Sequence, residues 1–385
     1  MGELIRLLIA FTSRNALKLC LPFLKIKTDR VLFQSYREKK YACNPRYICE
    51  KLMEIAPQGL EIAWSFREPE KFEYLKEKGI RVLKAGSWEA IQYALTAKVV
   101  CVNTYYKPTL PRRRGQVHIR TWHGGGAYKK VAGMEKMGFI KRLSVNYQLS
   151  GATLYLSSSR AFTQQTVRDS FGFKGEVLEI GMPRNDMLVN GISDDALNAI
   201  RASIGLRAGV RLALYAPTYR EDLKISEYGL DVDRLTAALR ARFGGEWLIA
   251  YRGHVFVKSG RTQLMDLSGY EDMQPLLAAS DVLITDYSSS MWDMSLTGKP
   301  VFLYCPDLYR YDRERGFYTP VESWPYPLAE NNDELEQNIL AFDEESYAEQ
   351  VKAHHAALGS CESGRASELT ARRILSETIG QKTKD

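Results

Sequence analysis

The sequence predicts an α/β protein of two doubly wound halves facing one cleft, each half a parallel sheet with helices on both faces. Three observations predict it. The 385 residues exceed one ordinary core and suit two domains. Short apolar runs rich in β-branched and aromatic residues alternate with helical stretches, and repeated β-α-β order gives parallel sheets. The alternation pauses at Ser193–Gly209 and restarts at Val210, which marks a seam.

The first segment, "ELIRLLIAFTSRNALKLCLPFLKIK", is apolar but interrupted by Arg6, Arg14, Lys18 and Lys25. It has neither the uninterrupted apolar stretch nor the small-residue cleavage site of a signal peptide. A basic amphipathic helix can lie in a membrane interface, and one docked on the protein's own core reads equally well. Residues 1–28 are taken as this segment. In the half over 29–200, "RVLFQSY", "LEIAWSF", "IRVLKAG", "KVVCVNTYY", "VHIRTW", "ATLYLSSS" and "EVLEIG" read as strands. "NPRYICEKLMEIA", "PEKFEYLKEKG", "SWEAIQYALTA" and "RAFTQQTVRDSFGF" read as helices between them. In the half over 201–385, "VRLALYAPTYR", "EWLIAYRGH", "DVLITDYSS" and "KPVFLYCPD" are the strands, joined by helices such as "VDRLTAALRARFG". "ASELTARRILSETIG" is a last helix, free to pack back on the first half.

Composition narrows the function. The chain is 45% apolar and 26% charged, as folded globular proteins are. Its net charge of +7 favours an anionic partner such as phosphate or acidic lipid. Basic residues are dispersed and no nucleic-acid motif accompanies them, so nucleic acid is not an expected partner. The six cysteines are scattered without metal-ligand spacing, which fits reduced thiols. No long uncharged apolar run predicts a spanning helix.

In doubly wound sheets ligands sit beyond the carboxyl ends of strands, and those positions are loaded here. His123 follows "VHIRTW", and Arg184 to Asp186 follow "EVLEIG". Arg220 follows "LALYAPTY", Arg252 and His254 follow "LIAY", and Asp286 with Ser288, Ser289 and Ser290 follow "VLIT". His123 and His254 are two of only five histidines, and a histidine is the residue suited to moving a proton near neutral pH. Gly124 to Gly126 let a backbone approach something closely, and Lys129 and Lys130 are placed to neutralise phosphate oxygens. The turn "TDYSSSMWD" offers hydroxyls and the positive end of a helix to a phosphate, or caps that helix with serine alone.

Other signals weaken on inspection. "HGGG" occurs in lipase-like hydrolases, but the G-x-S-x-G elbow is absent. Neither G-x-G-x-x-G after a strand nor a Walker A loop is present. Asp231 to Asp233 resemble a metal-binding D-x-D, yet read better as the start of a helix. His354 and His355 read as solvated residues of a polar helical tail. Arg112 to Arg114 suit either acidic headgroups or a solvated loop.

Taken together, "NPRYICEKL", "TWHGGGAYKK", "IGMPRND", "LYAPTYR", "ITDYSSSMWD" and "PDLYRYDRERGFY" make the chain resemble the CDP-glycerol glycerophosphotransferases, the primases and polymerases of teichoic acid and related capsular polymers. The resemblance runs from about Val31 to Tyr318. It implies a GT-B fold and peripheral attachment to the cytoplasmic face of the bacterial membrane, with its anionic surface as a partner. It implies a CDP-glycerol or CDP-ribitol donor and a lipid-linked saccharide or polyol phosphate acceptor. His123 matches the family's proposed general base and His254 a second histidine near the donor pyrophosphate. Thr285, Ser288 and Ser289 match the donor phosphate turn, and Arg220 and Asp293 match further motif positions. Lys129, Arg184, Arg252 and Asp286 complete the expected substrate-binding set. Nothing demands a metal, and Mg²⁺ travelling with the donor pyrophosphate is compatible with the sequence. Two departures stand out: Gly124-Gly125-Gly126 replaces the common Gly-Thr-Pro, and Val255 replaces a common proline. The compact chain leans toward a primase or short-chain transferase. The competing readings are a GT-B sugar-nucleotide glycosyltransferase and a non-catalytic subunit of an envelope-polymer assembly.

Overall fold

The computed structural model describes residues 3–105, 107–131, 145, 147–149, 151–218, 229–253 and 264–378. The chain forms two compact units. Unit 1 takes Met1–His123, Ala132–Asp186 and Cys361–Asp385; unit 2 takes Gly124–Val131 and Met187–Ser360. The chain therefore does not pass once from one unit to the other near residue 200. His123 closes a stretch of unit 1, and Gly124 opens a stretch of unit 2. The reason is packing: Tyr128 belongs to the apolar core of unit 2, while Ala371 and Ile374 of the last helix belong to a core of unit 1.

Unit 1 is built on strands β1 (Lys27–Gln34), β2 (Glu61–Phe66), β3 (Arg81–Lys84), β4 (Ala97–Val102), β5 (Val117–Arg120), β6 (Leu154–Ser157) and β7 (Glu176–Glu179). They form one sheet in the order β3-β2-β1-β4-β5-β6-β7, and every pairing is parallel. The central strands are buried on both faces, β4 along its whole length, as a sheet covered by helices requires. Cys43–Ile55 and Trp88–Thr96 are α-helices. Two expected helices take other forms. "PEKFEYL" winds as a 3₁₀ helix over Pro69–Leu75, and Phe162–Ser170 winds as a π-helix.

The N-terminal helix spans Glu3–Cys20. One face docks on unit 1: Ala10 is buried, Leu17 packs against the Leu32–Val100 core, and Arg14 stacks on the Tyr147 ring at 4.2 Å. The opposite face leaves Ile5, Leu8, Ile9, Phe11 and Leu19 exposed. No helix among the described residues is long and apolar enough to cross a membrane.

Unit 2 repeats the plan with β8 (Val210–Tyr215), β9 (Glu246–Tyr251), β10 (Met265–Asp266), β11 (Val282–Thr285), β12 (Val301–Tyr304) and β13 (Leu328–Ala329). Their order is β10-β9-β8-β11-β12-β13, again all parallel. Asp231 caps the helix Val232–Phe243 by accepting from the Arg234 backbone N–H, so the D-x-D is a helix start. In each sheet strand order reverses beside the first strand, at β1/β4 and at β8/β11. Such switch points open the crevices where doubly wound proteins bind ligands.

Candidate active site

The carboxyl end of unit 1 carries His123 three residues past β5. The approach to it is strained: Trp122 has φ +57°, a left-handed conformation that a bulky residue adopts only when its surroundings impose it. Asn44 imposes it. This buried amide donates from Nδ2 to the carbonyls of Thr121 (3.3 Å) and Trp122 (3.0 Å), and its Oδ1 accepts from the Arg184 backbone N–H at 3.0 Å. The Trp122 ring lies against Phe171 and against His123 itself, at 4.7 and 4.5 Å between centroids.

The His123 ring is half-buried, and its Nδ1 lies 2.9 Å from the Asn103 carbonyl oxygen. A carbonyl can only accept, so Nδ1 carries the proton and Nε2 is left with the basic lone pair. Asn103 is fully buried just past β4, and its Oδ1 accepts from the Tyr36 N–H at 2.8 Å. One residue thus ties the β1 end, the β4 end and the histidine together at the switch point. Tyr36 sits 6.0 Å from the His123 ring. Asn44 and Asn103 went unnoticed in the sequence; buried asparagines at strand and helix ends were the available signal.

Arg184 is also in unit 1, but it is 3% exposed, and its Nη1 approaches the Cys43 sulfur at 3.6 Å. It is built into the interior rather than turned to solvent.

Unit 2 explains the glycines. A Cβ on Gly125 would stand 2.4 Å from the Trp292 ring, and one on Gly126, at φ +81°, would stand 2.2 Å from the Tyr128 ring. The close approach anticipated for this stretch is therefore made by the protein's own aromatic side chains. Trp292 in turn stacks on His355 at 4.1 Å, His355 Nε2 lies 2.8 Å from the Ser295 hydroxyl, and His354 Nε2 lies 3.1 Å from the Tyr128 hydroxyl. These two histidines are packed, not solvated as the polar helix suggested, and burial pushes both down to about 4. Lys129 is half-buried and bridges to Phe317 by backbone pairing.

At the β8/β11 switch point Asp286 is buried, and its carboxylate accepts from the Thr218 backbone N–H (2.8 Å) and hydroxyl (2.6 Å). Thr285 is buried too and donates from Oγ1 to the Ala216 carbonyl at 2.7 Å. Asp293 accepts from Gln274 Nε2 at 3.1 Å inside the core. These three residues shape the turn from below. Ser288 and Ser289 are the half-exposed members. Ser288 Oγ accepts from the Ser290 hydroxyl at 3.0 Å, and Ser289 starts the helix Ser290–Ser295 without a side-chain capping bond. Arg252 is half-buried, and its Nη1 donates to the Asp272 carbonyl at 3.2 Å. Arg220 and His254 lie outside the described residues. Among the described residues no three His, Cys, Asp or Glu side chains converge on a metal position.

Comparison with known proteins gives this arrangement its context. The profile of the CDP-glycerol:poly(glycerophosphate) glycerophosphotransferase family matches residues 14–376. The teichoic acid poly(glycerol phosphate) polymerase of Bacillus subtilis (strain 168) is 29% identical over 374 residues, covering 91% of this chain and 49% of that protein. The teichoic acid glycerol-phosphate transferase of Staphylococcus aureus (strain NCTC 8325 / PS 47) is 27% identical, covering 90% of this chain and 92% of that protein. The chain thus spans about half the length of the polymerase and nearly all of the transferase. A solved structure of the wall teichoic acid polymerase TagF superposes with a TM-score of 0.82 at 27% identity, covering 92% of this chain and 90% of that one. The chain belongs to the CDP-glycerol:poly(glycerophosphate) glycerophosphotransferase family, and its two parallel-sheet units are the fold that membership implies.

Proposed function

We propose that this glycerophosphotransferase-family member transfers a polyol phosphate, glycerol phosphate foremost, from a CDP-polyol to a hydroxyl of a teichoic acid or related acceptor and releases CMP. The observation that carries the reading is the fixed tautomer of His123, a ring held at a strand end by its Nδ1 on the Asn103 carbonyl, in a chain whose family catalyses this transfer. The acceptor oxygen attacks the β-phosphorus, its proton passes to His123 Nε2, and the bond to the bridging oxygen breaks with its electron pair leaving on CMP. General-base help of this kind contributes ~10²–10⁴ in rate.

The remaining roles follow from charge and position. Ser288 and Ser289 offer hydroxyls to the donor phosphates, and the buried Thr285, Asp286 and Asp293 hold that turn in shape. Lys129 and Arg252 supply positive charge toward the pyrophosphate. His254 and Arg220 join them on the family resemblance alone. Charge stabilisation by such groups is the main protein contribution to phosphoryl transfer. Arg184 acts by supporting Asn44 and thereby the backbone before His123.

The exposed apolar face of the N-terminal helix, with Lys18, Lys25 and Lys27 exposed nearby, suits an anionic membrane surface. In this reading the enzyme works at the cytoplasmic face of the membrane on a lipid-linked acceptor. Replacing Leu8, Phe11 and Leu19 by Asp abolishes sedimentation with anionic vesicles and spares activity on a soluble acceptor; unchanged sedimentation rejects the membrane face. The reaction itself is tested by product mass after incubation with CDP-glycerol or CDP-ribitol and a disaccharide-lipid acceptor. One added phosphopolyol establishes a primase and a ladder a polymerase. No CMP from either donor, with folded protein and with acceptors both bare and already bearing a polyol phosphate, rejects the transfer.

A further inference from the structure

Two features at the carboxyl end of the unit 1 sheet are not used by the reaction as described. The first is a left-handed turn. Tyr36, Arg37 and Glu38, directly after β1, have φ of 45°, 57° and 67°. Consecutive non-glycine residues in this region are costly and persist only when the surroundings over-determine them, which makes such turns markers of function. Asn103 holds the first residue. Glu38 is 4% exposed and held by Ser65 Oγ at 2.6 Å, Gln34 Nε2 at 3.1 Å and Lys107 Nζ at 2.5 Å. The turn's one carboxylate is therefore spent inside. Arg37, between the two anchored residues, is exposed, and its guanidinium makes no hydrogen bond or ion pair among the described residues.

The second is Arg120, the last residue of β5, only 1% exposed. Its guanidinium donates to the Tyr155 hydroxyl (3.2 Å) and the Gln148 carbonyl (2.8 Å), its Nε is buried without a partner, and it meets no carboxylate among the described residues. A buried cation without a counter-charge is expensive and leaves a positive field around it. Tyr105 senses both arginines: burial pushes its phenol up while Arg120 and Arg37 pull it back. The turn, the buried cation and His123 thus share one strand end.

We infer that this strand end is an anion seat for the acceptor, in which Arg37 binds a phosphodiester of the acceptor beside the hydroxyl that His123 deprotonates. Arg120 supplies fixed positive field from below, and Tyr36 offers a ring face between the two. The inference rests on the transfer reaction proposed above and assigns to Arg37 the recognition of an acceptor's polyol phosphate, the acceptor class in the family's description. An acceptor whose reacting hydroxyl belongs to a bare saccharide lacks the group that Arg37 recognises. A charge-assisted contact of this kind changes affinity about 10- to 100-fold.

The experiment titrates two soluble probes by calorimetry into the full chain: a disaccharide bearing one glycerol phosphate, and the same disaccharide without it. The wild type is expected to prefer the phosphate-bearing probe about 10- to 100-fold. Arg37→Ala removes that preference, Arg37→Lys keeps part of it, and all three proteins bind CDP-glycerol alike. A preference that survives Arg37→Ala, or no preference in the wild type, overturns the inference. So does displacement of the probe by inorganic phosphate at equal concentration, which marks a general anion site. Binding needs no turnover, so the two readings fail separately. Absent CMP release with the preference intact rejects the transfer, and CMP release without the preference rejects the seat.

Discussion

The two switch points share a topology and differ in how they are finished. At β8/β11 in unit 2, the buried polar groups named above have partners: Asp286 takes Thr218, Thr285 takes Ala216, Asp293 takes Gln274, and Ser290 takes Ser288. At β1/β4 in unit 1, the backbone is left-handed at four residues, Tyr36 to Glu38 and Trp122, and the buried Arg120 meets no carboxylate among the described residues. Satisfied hydrogen bonds make a stable cradle. Strained backbone of this kind clusters at active sites and switch regions. Under the proposed function the first end is the one that holds the donor and the second the one that acts on the acceptor.

The largest effect expected is on chemistry. His123→Ala lowers turnover ~10²–10⁴-fold while the protein's thermal midpoint stays near that of the wild type; near-normal turnover would break the distinction between the two ends. Next comes packing. Gly125→Ala places a Cβ against Trp292 and destabilises unit 2 by about 1–3 kcal/mol, the usual cost of overpacking. Unchanged denaturant unfolding, with lost donor binding instead, would return the glycines to a ligand role. Asp286→Asn weakens the Thr218 contacts by about 1–3 kcal/mol and raises KM for the donor more than for the acceptor. The reverse order would mean that the unit 2 switch point serves the acceptor.

The smallest effect expected is with pH. His354 and His355 have folded values lowered to about 4 by burial, against an ordinary value of 6.5. The unfolded chain therefore binds more protons across that window, and stability falls as pH drops from 6.5 toward 4. His355→Gln flattens this dependence as followed by Trp292 fluorescence. An unaltered slope would show that other groups control it.

Much of this was legible in the sequence, for a physical reason. Buried parallel strands are continuous apolar runs, so their ends are easy to find, and strand ends are where doubly wound sheets place their chemistry. The positions of His123 and the Ser288–Ser289 turn just past strand ends were read that way. What holds them was not legible. Asn44 and Asn103 reach His123 only through the fold, and no local spacing relates them. The glycines were read for a close approach without a partner, because Trp292 lies far along the chain. His354 and His355 were misjudged because a helix with so polar a surface gives little sign of an aromatic partner on its inner side. The π-helix at Phe162–Ser170 and the 3₁₀ turn at Pro69–Leu75 were read only as helical, since apolar periodicity does not resolve the winding.

The most direct measurement of the division between the two ends is CDP-glycerol affinity by calorimetry in three proteins: wild type, His123→Ala, and the Ser288→Ala/Ser289→Ala double variant. The account predicts unchanged affinity in the histidine variant and a clear loss, about tenfold or more, in the serine variant. Equal loss in both, or loss in the histidine variant alone, would contradict it.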